Sequence, residues 1–293
     1  MAPGFQRRGP MQPEAAEIFE AQRPRLLRLA YRMLGSNAEA EDMVQEAFLR
    51  WHGAEGIDNP AAWLTRTVSR LCLDQMKSAR SRRETYPGTW LPEPLIEAED
   101  DALRPDNLTL SLMMALERLS PLERAAFLLH DVFGQPLDEV AATIDRSPAA
   151  TRQLASRARA HVQVDRPRYE IPRDAGAELA RAFFEACKSG DASALGAMLA
   201  EGATLHSDGG GKVHAYPNVI RGADNLIRLL LGLQRKFGDQ MRFLEATMID
   251  GLPGFVSRLD GNLQTTAIEI TDGRITALYV TRNPDKLSRV VPH

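Results

Sequence analysis

Between Pro148 and Val164 the chain carries Arg152, Gln153, Ser156, Arg157 and Arg159 and no acidic residue. These side chains suit a DNA groove. Arginine can bridge the two acceptors on a guanine edge, glutamine can read adenine, and serine can do either or bind phosphate. The first turns of a helix lying in the major groove reach the base edges. Arg152, Gln153 and Ser156 are therefore the candidates for base reading, and Arg157 and Arg159 for phosphate. An alanine-rich helical hairpin with a solvated basic face would use the same residues. A second cationic set, Arg66, Arg70, Lys77, Arg80, Arg82 and Arg83, is opposed only by Asp74 between Pro60 and Arg83. Trp63 stands at its start, and a positive groove beside an aromatic ring suits strands being separated, because an unstacked base can rest on the ring. For Trp63 a place in the core is the plainer reading.

Other clusters point to contact more than to reaction. WLPEP (Trp90 to Pro94, including Pro92) is a stiff apolar hook with little entropy to lose. DGGGK (Asp208, Gly209, Gly210, Gly211, Lys212) has three glycines that let a backbone approach closely, with Asp208 and Lys212 placed to flank the loop as a charged pair. NPDKL (Asn283, Pro284, Asp285, Lys286, Leu287) follows the last predicted strand and could cap a domain edge. The expectation is that WLPEP docks near the DGGGK loop; ordinary turns and an ordinary linker are the alternative. His206, Asp208, His214, Tyr216 and Asp250 are the acid–base candidates, but Asp208 falls in the glycine loop and Asp250 in a hairpin turn. No phosphate loop, zinc spacing or nucleophile triad is present, so no catalytic residue, metal or cofactor is expected. The two cysteines, Cys72 and Cys187, sit far apart in apolar helical patterns and read as buried thiols.

The elements that must position these groups follow from periodicity and punctuation. A chain of 293 residues with 44% hydrophobic and 26% charged residues is globular and long enough for two or three domains. Its net charge of −3 hides a segregation of acid and base along the chain. Residues 1–13 read as a disordered leader and not as a signal peptide, and no apolar run is long enough to span a bilayer; a cytoplasmic protein is expected. Residues 14–85 read as three helices, the second opened by Ser36 and Glu39 as a capping box and the third by Asn59 and Pro60. Residues 86–107 form an acidic, proline-broken linker. Residues 108–164 hold more helices and end in a helix-turn-helix: LDEVAATI, the turn DRS, and a helix opened by Ser147 and Pro148. Residues 165–173 are a second linker. Residues 174–293 begin with helices (Ala175 to Ser189, Ala192 to Ala200, Ala223 to Phe237). They end in strands joined at Asp250-Gly251, Asp260-Gly261 and Asp272-Gly273, an antiparallel meander on helices.

In this order the segments resemble an extracytoplasmic-function (ECF) RNA polymerase sigma factor. EAEDMVQEAFLRW (Glu39 to Trp51) resembles the region-two helix that docks on the clamp of the β′ subunit, and Pro60 to Arg83 the part that melts and reads the minus-ten element. Leu116 to Val162 resembles region four, which reads the minus-thirty-five element. WLPEP, DGGGK and NPDKL together resemble the signature of sigma factors fused to a SnoaL-like domain. The resemblance implies two all-α domains plus a C-terminal α+β cone. It implies RNA polymerase core (the β′ clamp and the β subunit) and promoter DNA as partners. Asp42, Gln45 and Phe48 would face polymerase, Phe48 being equally suited to the core. Trp63, Arg66, Arg70, Lys77 and Arg80 would face the minus-ten element, and the three short motifs would make a regulatory contact that sets the two DNA-binding domains in cis. The alternative is a DNA-binding regulator whose SnoaL-like domain senses or isomerises a small molecule, and a ligand for that domain stays open on either reading.

Overall fold

The computed structural model describes residues 13–54, 56–96, 109–162 and 172–291. Nearly all of the expected leader, the acidic residues Glu97 to Asp106 and most of the second linker lie outside the described residues. The chain divides into two compact units, Met1–Arg80 with Leu119–Arg159, and Ser81–Arg118 with Ala160–His293.

The first unit is all helical. It contains α1 (Pro13–Leu34), α2 (Asn37–Trp51) and α3 (Pro60–Glu84), and, after α4 (Leu110–Leu116) of the other unit, α5 (Pro121–Phe127), α6 (Leu137–Ile144) and α7 (Pro148–Val162). Four of these starts, those of α2, α3, α5 and α7, have a side-chain cap. Ser36 accepts from the Glu39 N–H at 3.3 Å, Asn59 from Ala62 at 3.1 Å and Ser147 from Ala150 at 3.2 Å, satisfying amides that have no partner within the helix. Ser120 and Glu123 close a full capping box ahead of α5. Leu26, Met33, Leu64, Val68 and Leu128 are fully buried. The acidic linker suggests separate modules, yet the three-helix segment and the helix-turn-helix share one unit.

The second unit holds α8 (Arg173–Ser189), α9 (Ala192–Met198), α10 (Ala223–Phe237) and strands β1 (Leu199–Asp208), β2 (Ile220–Arg221), β3 (Arg242–Ile249), β4 (Leu252–Leu259), β5 (Asn262–Thr271) and β6 (Arg274–Thr281). The sheet runs β2-β1-β6-β5-β4-β3. β3 to β6 form the expected meander, and each Asp-Gly turn places both residues at positive φ, as at Asp260 (53°) and Gly261 (75°). The sequence reading missed β1, which extends from the end of a helix read as reaching Ala200 and pairs parallel with β6. The sheet is therefore mixed. Phe183, Phe184, Leu226, Leu230 and Phe255 build one core with the helices. A second cluster joins Leu91, Leu110, Ile249, Leu252 and Tyr279. Leu91 and α4, ahead of the sheet in sequence, thus bury against it.

Candidate functional site

In the helix-turn-helix, Asp145 turns the chain with a left-handed φ of 55°, a conformation that Asp tolerates better than most residues. Thr151, Ala155, Ala158 and Val162 bury one face of α7, and Arg152, Gln153, Ser156 and Arg157 stand exposed on the other. Arg159 is half-buried and donates to Asp131 at 2.6 Å; Arg157 lies 3.7 Å from Glu123. On α3, Arg66, Arg70 and Lys77 are exposed. Lys77 pairs with Asp74 at 2.8 Å. The guanidinium of Arg70 donates from Nε to the Thr143 carbonyl at 3.0 Å and from Nη2 to the Ala142 carbonyl at 2.9 Å. Those carbonyls end α6, where helical partners run out and the helix dipole is negative. A side chain assigned from sequence to minus-ten DNA thus ties α3 to the helix-turn-helix in this conformation. Trp63 is half-buried with its ring 5.8 Å from that of Trp51, and the Arg80 side chain lies outside the described residues. Asp42, Gln45 and Leu49 expose one face of α2, whereas Phe48 packs 4.7 Å from Phe19.

The second unit brings the three short motifs together around Asp208, whose side chain has no exposed surface. Its Oδ1 accepts from the Tyr86 hydroxyl at 2.6 Å and the Gly210 N–H at 3.0 Å. Its Oδ2 accepts from the Leu91 N–H at 2.9 Å and Lys286 Nζ at 2.7 Å. A buried carboxylate is tolerable only when its lone pairs are met and its charge is matched, and here both hold. Lys286 also donates to the Leu91 carbonyl and lies 4.2 Å from the Trp90 ring centroid and 5.0 Å from that of Tyr86, where the ring faces attract a cation. Asn283 Nδ2 donates to the Tyr86 hydroxyl at 2.9 Å. Burial, reinforced by the hydrogen bond to Asp208, raises the pKa of that hydroxyl. Gly211 has φ +70°, and a Cβ there would stand 2.9 Å from Pro87 Cγ, so this glycine permits the close passage of residues 86–91.

Two details differ from expectation. Asp208 pairs with Lys286 and not with Lys212, which instead forms an ion pair with Asp285 at 2.7 Å. Leu91, fully buried, is the deepest residue of WLPEP; Pro92 is buried and Trp90 only partly so. A second anchor was missed. Asp250 is fully buried: its carboxylate accepts from the Leu95 N–H at 3.0 Å and its carbonyl from the Leu110 N–H at 2.8 Å.

The acid–base candidates scatter. Asp208 and Asp250 are engaged as described. His206 stacks on Tyr279 at 5.1 Å, and burial lowers its pKa to about 4. His214 and Tyr216 do line a cavity of about 720 Å³ inside the α+β domain. Cys187 also lines it, its thiol pushed up to about 12 by burial. Among the described residues no group of His, Cys, Asp and Glu could hold a metal ion, and no helix is long and apolar enough to cross a membrane.

Comparison with known proteins decides the family. Residues 18–82 match Sigma-70 region 2 and residues 109–162 match Sigma-70, region 4. The chain is 39% identical over 287 residues to the ECF RNA polymerase sigma factor SigJ of Mycobacterium tuberculosis, covering 92% of each chain. It belongs to the ECF RNA polymerase sigma factors. Probable ECF sigma factor SigI of the same species is 34% identical over 92% of this chain and 93% of its own. The crystal structure of M. tuberculosis SigJ superposes with a TM-score of 0.77 at 36% identity, covering 93% of this chain and 98% of that one. As a sigma factor the protein binds RNA polymerase core and promoter DNA and acts in transcription initiation. The region-four match begins at Thr109, one residue before α4, although α4 packs in the unit that holds the sheet. No sequence signal marked Tyr86 or Asp250 as anchors. Tyr86 reads as the first residue of a linker, and Asp250 as one of three equivalent turn residues.

Proposed function

We propose that this sigma factor reads the minus-thirty-five element with Arg152, Gln153 and Ser156, the minus-ten region with α3, and polymerase with the Asp42 and Gln45 face of α2, under control in cis by its SnoaL-like domain. Exposure of those side chains supports the first part. The observation that carries the second is the Asp208 cluster, which fastens residues 86–91 to the sheet domain. That segment begins two residues after α3 ends, so fixing it restricts where α3 can go. Arg70, bonded to the end of α6, further biases the free protein toward one arrangement of its promoter readers. Promoter binding then selects among arrangements whose populations the SnoaL-like domain sets.

The test is transcription in vitro from the cognate promoter with core polymerase. Full-length protein, a chain ending near Asp165 and full-length Asp208→Asn should give different transcript yields at equal sigma concentration. Equal yields from all three would defeat control in cis while leaving the sigma activity intact.

A further inference from the structure

We propose that the cavity of the α+β domain binds one amphipathic carboxylate, an apolar chain or ring system with a single anionic head. This deepens the reading above by giving the SnoaL-like domain a ligand class. The cavity of about 720 Å³ falls within the range of small-molecule sites. Its depth is apolar: Phe183, Phe184, Leu205, Leu230, Phe255 and Leu278 are all buried and line it. Its charged lining is one-sided. Lys212, Arg228, Lys236, Arg258 and Arg282 line it with one acid among the described lining residues, Asp260; Lys212 is paired with Asp285, and Asp260 acts on Arg282. Arg228 donates to the Asn225 amide and Arg258 to the Gly261 carbonyl, while Lys236 lies over the Phe237 ring. None of these contacts neutralises a positive charge.

Two polar atoms of lining residues are buried beneath the cavity wall without a partner. Arg282 donates from Nη1 to the His214 carbonyl at 2.6 Å and from Nη2 toward the Leu259 carbonyl at 3.5 Å, which leaves Nε without an acceptor. Gln264 turns one end of its amide to Ser257 at 3.2 Å and leaves the other end bare. Arg228, Lys236 and Arg258 are exposed and line the cavity, so a carboxylate head can reach their guanidinium and ammonium groups with charge-assisted bonds. A neutral ligand would fill the apolar depth and leave the cationic lining unmatched; a cationic one would be repelled.

Position links the cavity to the Asp208 cluster. Ser207 and Arg282 line the cavity, and their chain neighbours are Asp208 and Asn283. Occupancy therefore bears on the residues that hold Tyr86 and Leu91, a coupling that rests on the reading of control in cis.

Calorimetric titration of the full chain tests the site with three probes of equal chain length, decanoate, decanol and decyltrimethylammonium. Decanoate should bind at one per chain, at least tenfold tighter than decanol, with the ammonium weakest. Arg258→Gln, which changes an exposed side chain, should weaken decanoate several-fold and leave decanol unchanged. Leu230→Trp, which fills the cavity, should abolish both, and Arg258→Gln keeps the test decisive should the filled variant fail to fold. Equal affinity for decanoate and decanol, uptake of many molecules per chain, or no response to Arg258→Gln would overturn the proposal. Saturable, Arg258-dependent binding that leaves transcription unchanged would support the site and count against the coupling alone.

Discussion

Asp208→Asn removes one charge and keeps the shape of the side chain, which makes it a clean test of what the buried carboxylate does. In the native cluster the carboxylate accepts four hydrogen bonds, two on each oxygen, and its ion-pair partner Lys286 is only 9% exposed. Asparagine offers one acceptor oxygen and one amide nitrogen carrying two N–H donors. If the oxygen stays on Tyr86 and Gly210, the amide donor faces the Leu91 N–H and the Lys286 ammonium, two further donors. Reversing the amide sets its donor against the Gly210 N–H instead. Removing one member of a buried pair costs about 3–5 kcal/mol because the other charge is left unmatched. The unit that holds the cluster, Ser81–Arg118 with Ala160–His293, falls in the size range of about 150–250 residues where each kcal/mol lowers Tm by about 2–4 °C, so a fall of roughly 6–20 °C is expected. The protein has three tryptophans, and Trp90 lies against Lys286. In a Trp51→Phe, Trp63→Phe background its fluorescence reports this cluster alone during urea unfolding. The double variant Asp208→Asn, Lys286→Met should recover part of the loss, giving a coupling of at least about 1 kcal/mol. A loss below 1 kcal/mol for Asp208→Asn, or strictly additive effects, would refute the assignment of a stabilising buried pair.

Arg152→Ala should lower transcription in a way that depends on the minus-thirty-five sequence, by about 1–3 kcal/mol of discrimination at one base pair, measured by competition between promoter variants. A uniform loss across variants would reassign Arg152 to phosphate. Arg70→Ala removes two hydrogen bonds from the end of α6 and should destabilise the helical unit by about 1–2 kcal/mol in urea unfolding; Arg70→Lys should not restore it, because an ammonium lacks the planar fork. His206 gives a pH signature. Its imidazole protonates near 6.5 when unfolded and near 4 when folded, chiefly because of burial. Between these values the unfolded chain binds more protons, so stability rises with pH in that window and is lost as pH falls from about 6.5 toward 4. The difference in stability between pH 7 and pH 4 should shrink by up to about 3 kcal/mol in His206→Gln, and equal pH profiles would remove His206 from the account.

Helix ends were the most legible part of this chain. Ser-Pro pairs, Asn59 and Gly35 act over a few residues, and the structure starts or stops helices at each. The helix-turn-helix and the α10 boundaries, Ala223–Phe237, follow from local pattern alone. Long-range pairings were less visible. β1 was hidden because it starts directly where α9 ends, and its partner β6 lies some 75 residues on. The three Asp-Gly turns look alike in sequence, yet Asp250 is fully buried and bonded to Leu95 and Leu110, whereas Asp260 and Asp272 are exposed. Charge partners were equally obscure. DGGGK and NPDKL each hold one lysine and one aspartate, and nothing local tells which pairs with which. Arg70 illustrates the same limit: a cation in a basic helix points to phosphate, and only tertiary structure can set it on a carbonyl.

The order of synthesis gives the Lys286 to Leu91 bond a further meaning. Those residues are 195 positions apart, and at about 5–20 residues per second the ribosome needs roughly 10–40 s to pass from one to the other. During that interval every helix of the first unit has been made while the anchor for Leu91 has not. Each new molecule therefore spends its first seconds with residues 86–91 unfastened, and acquires the restraint only as its sheet closes.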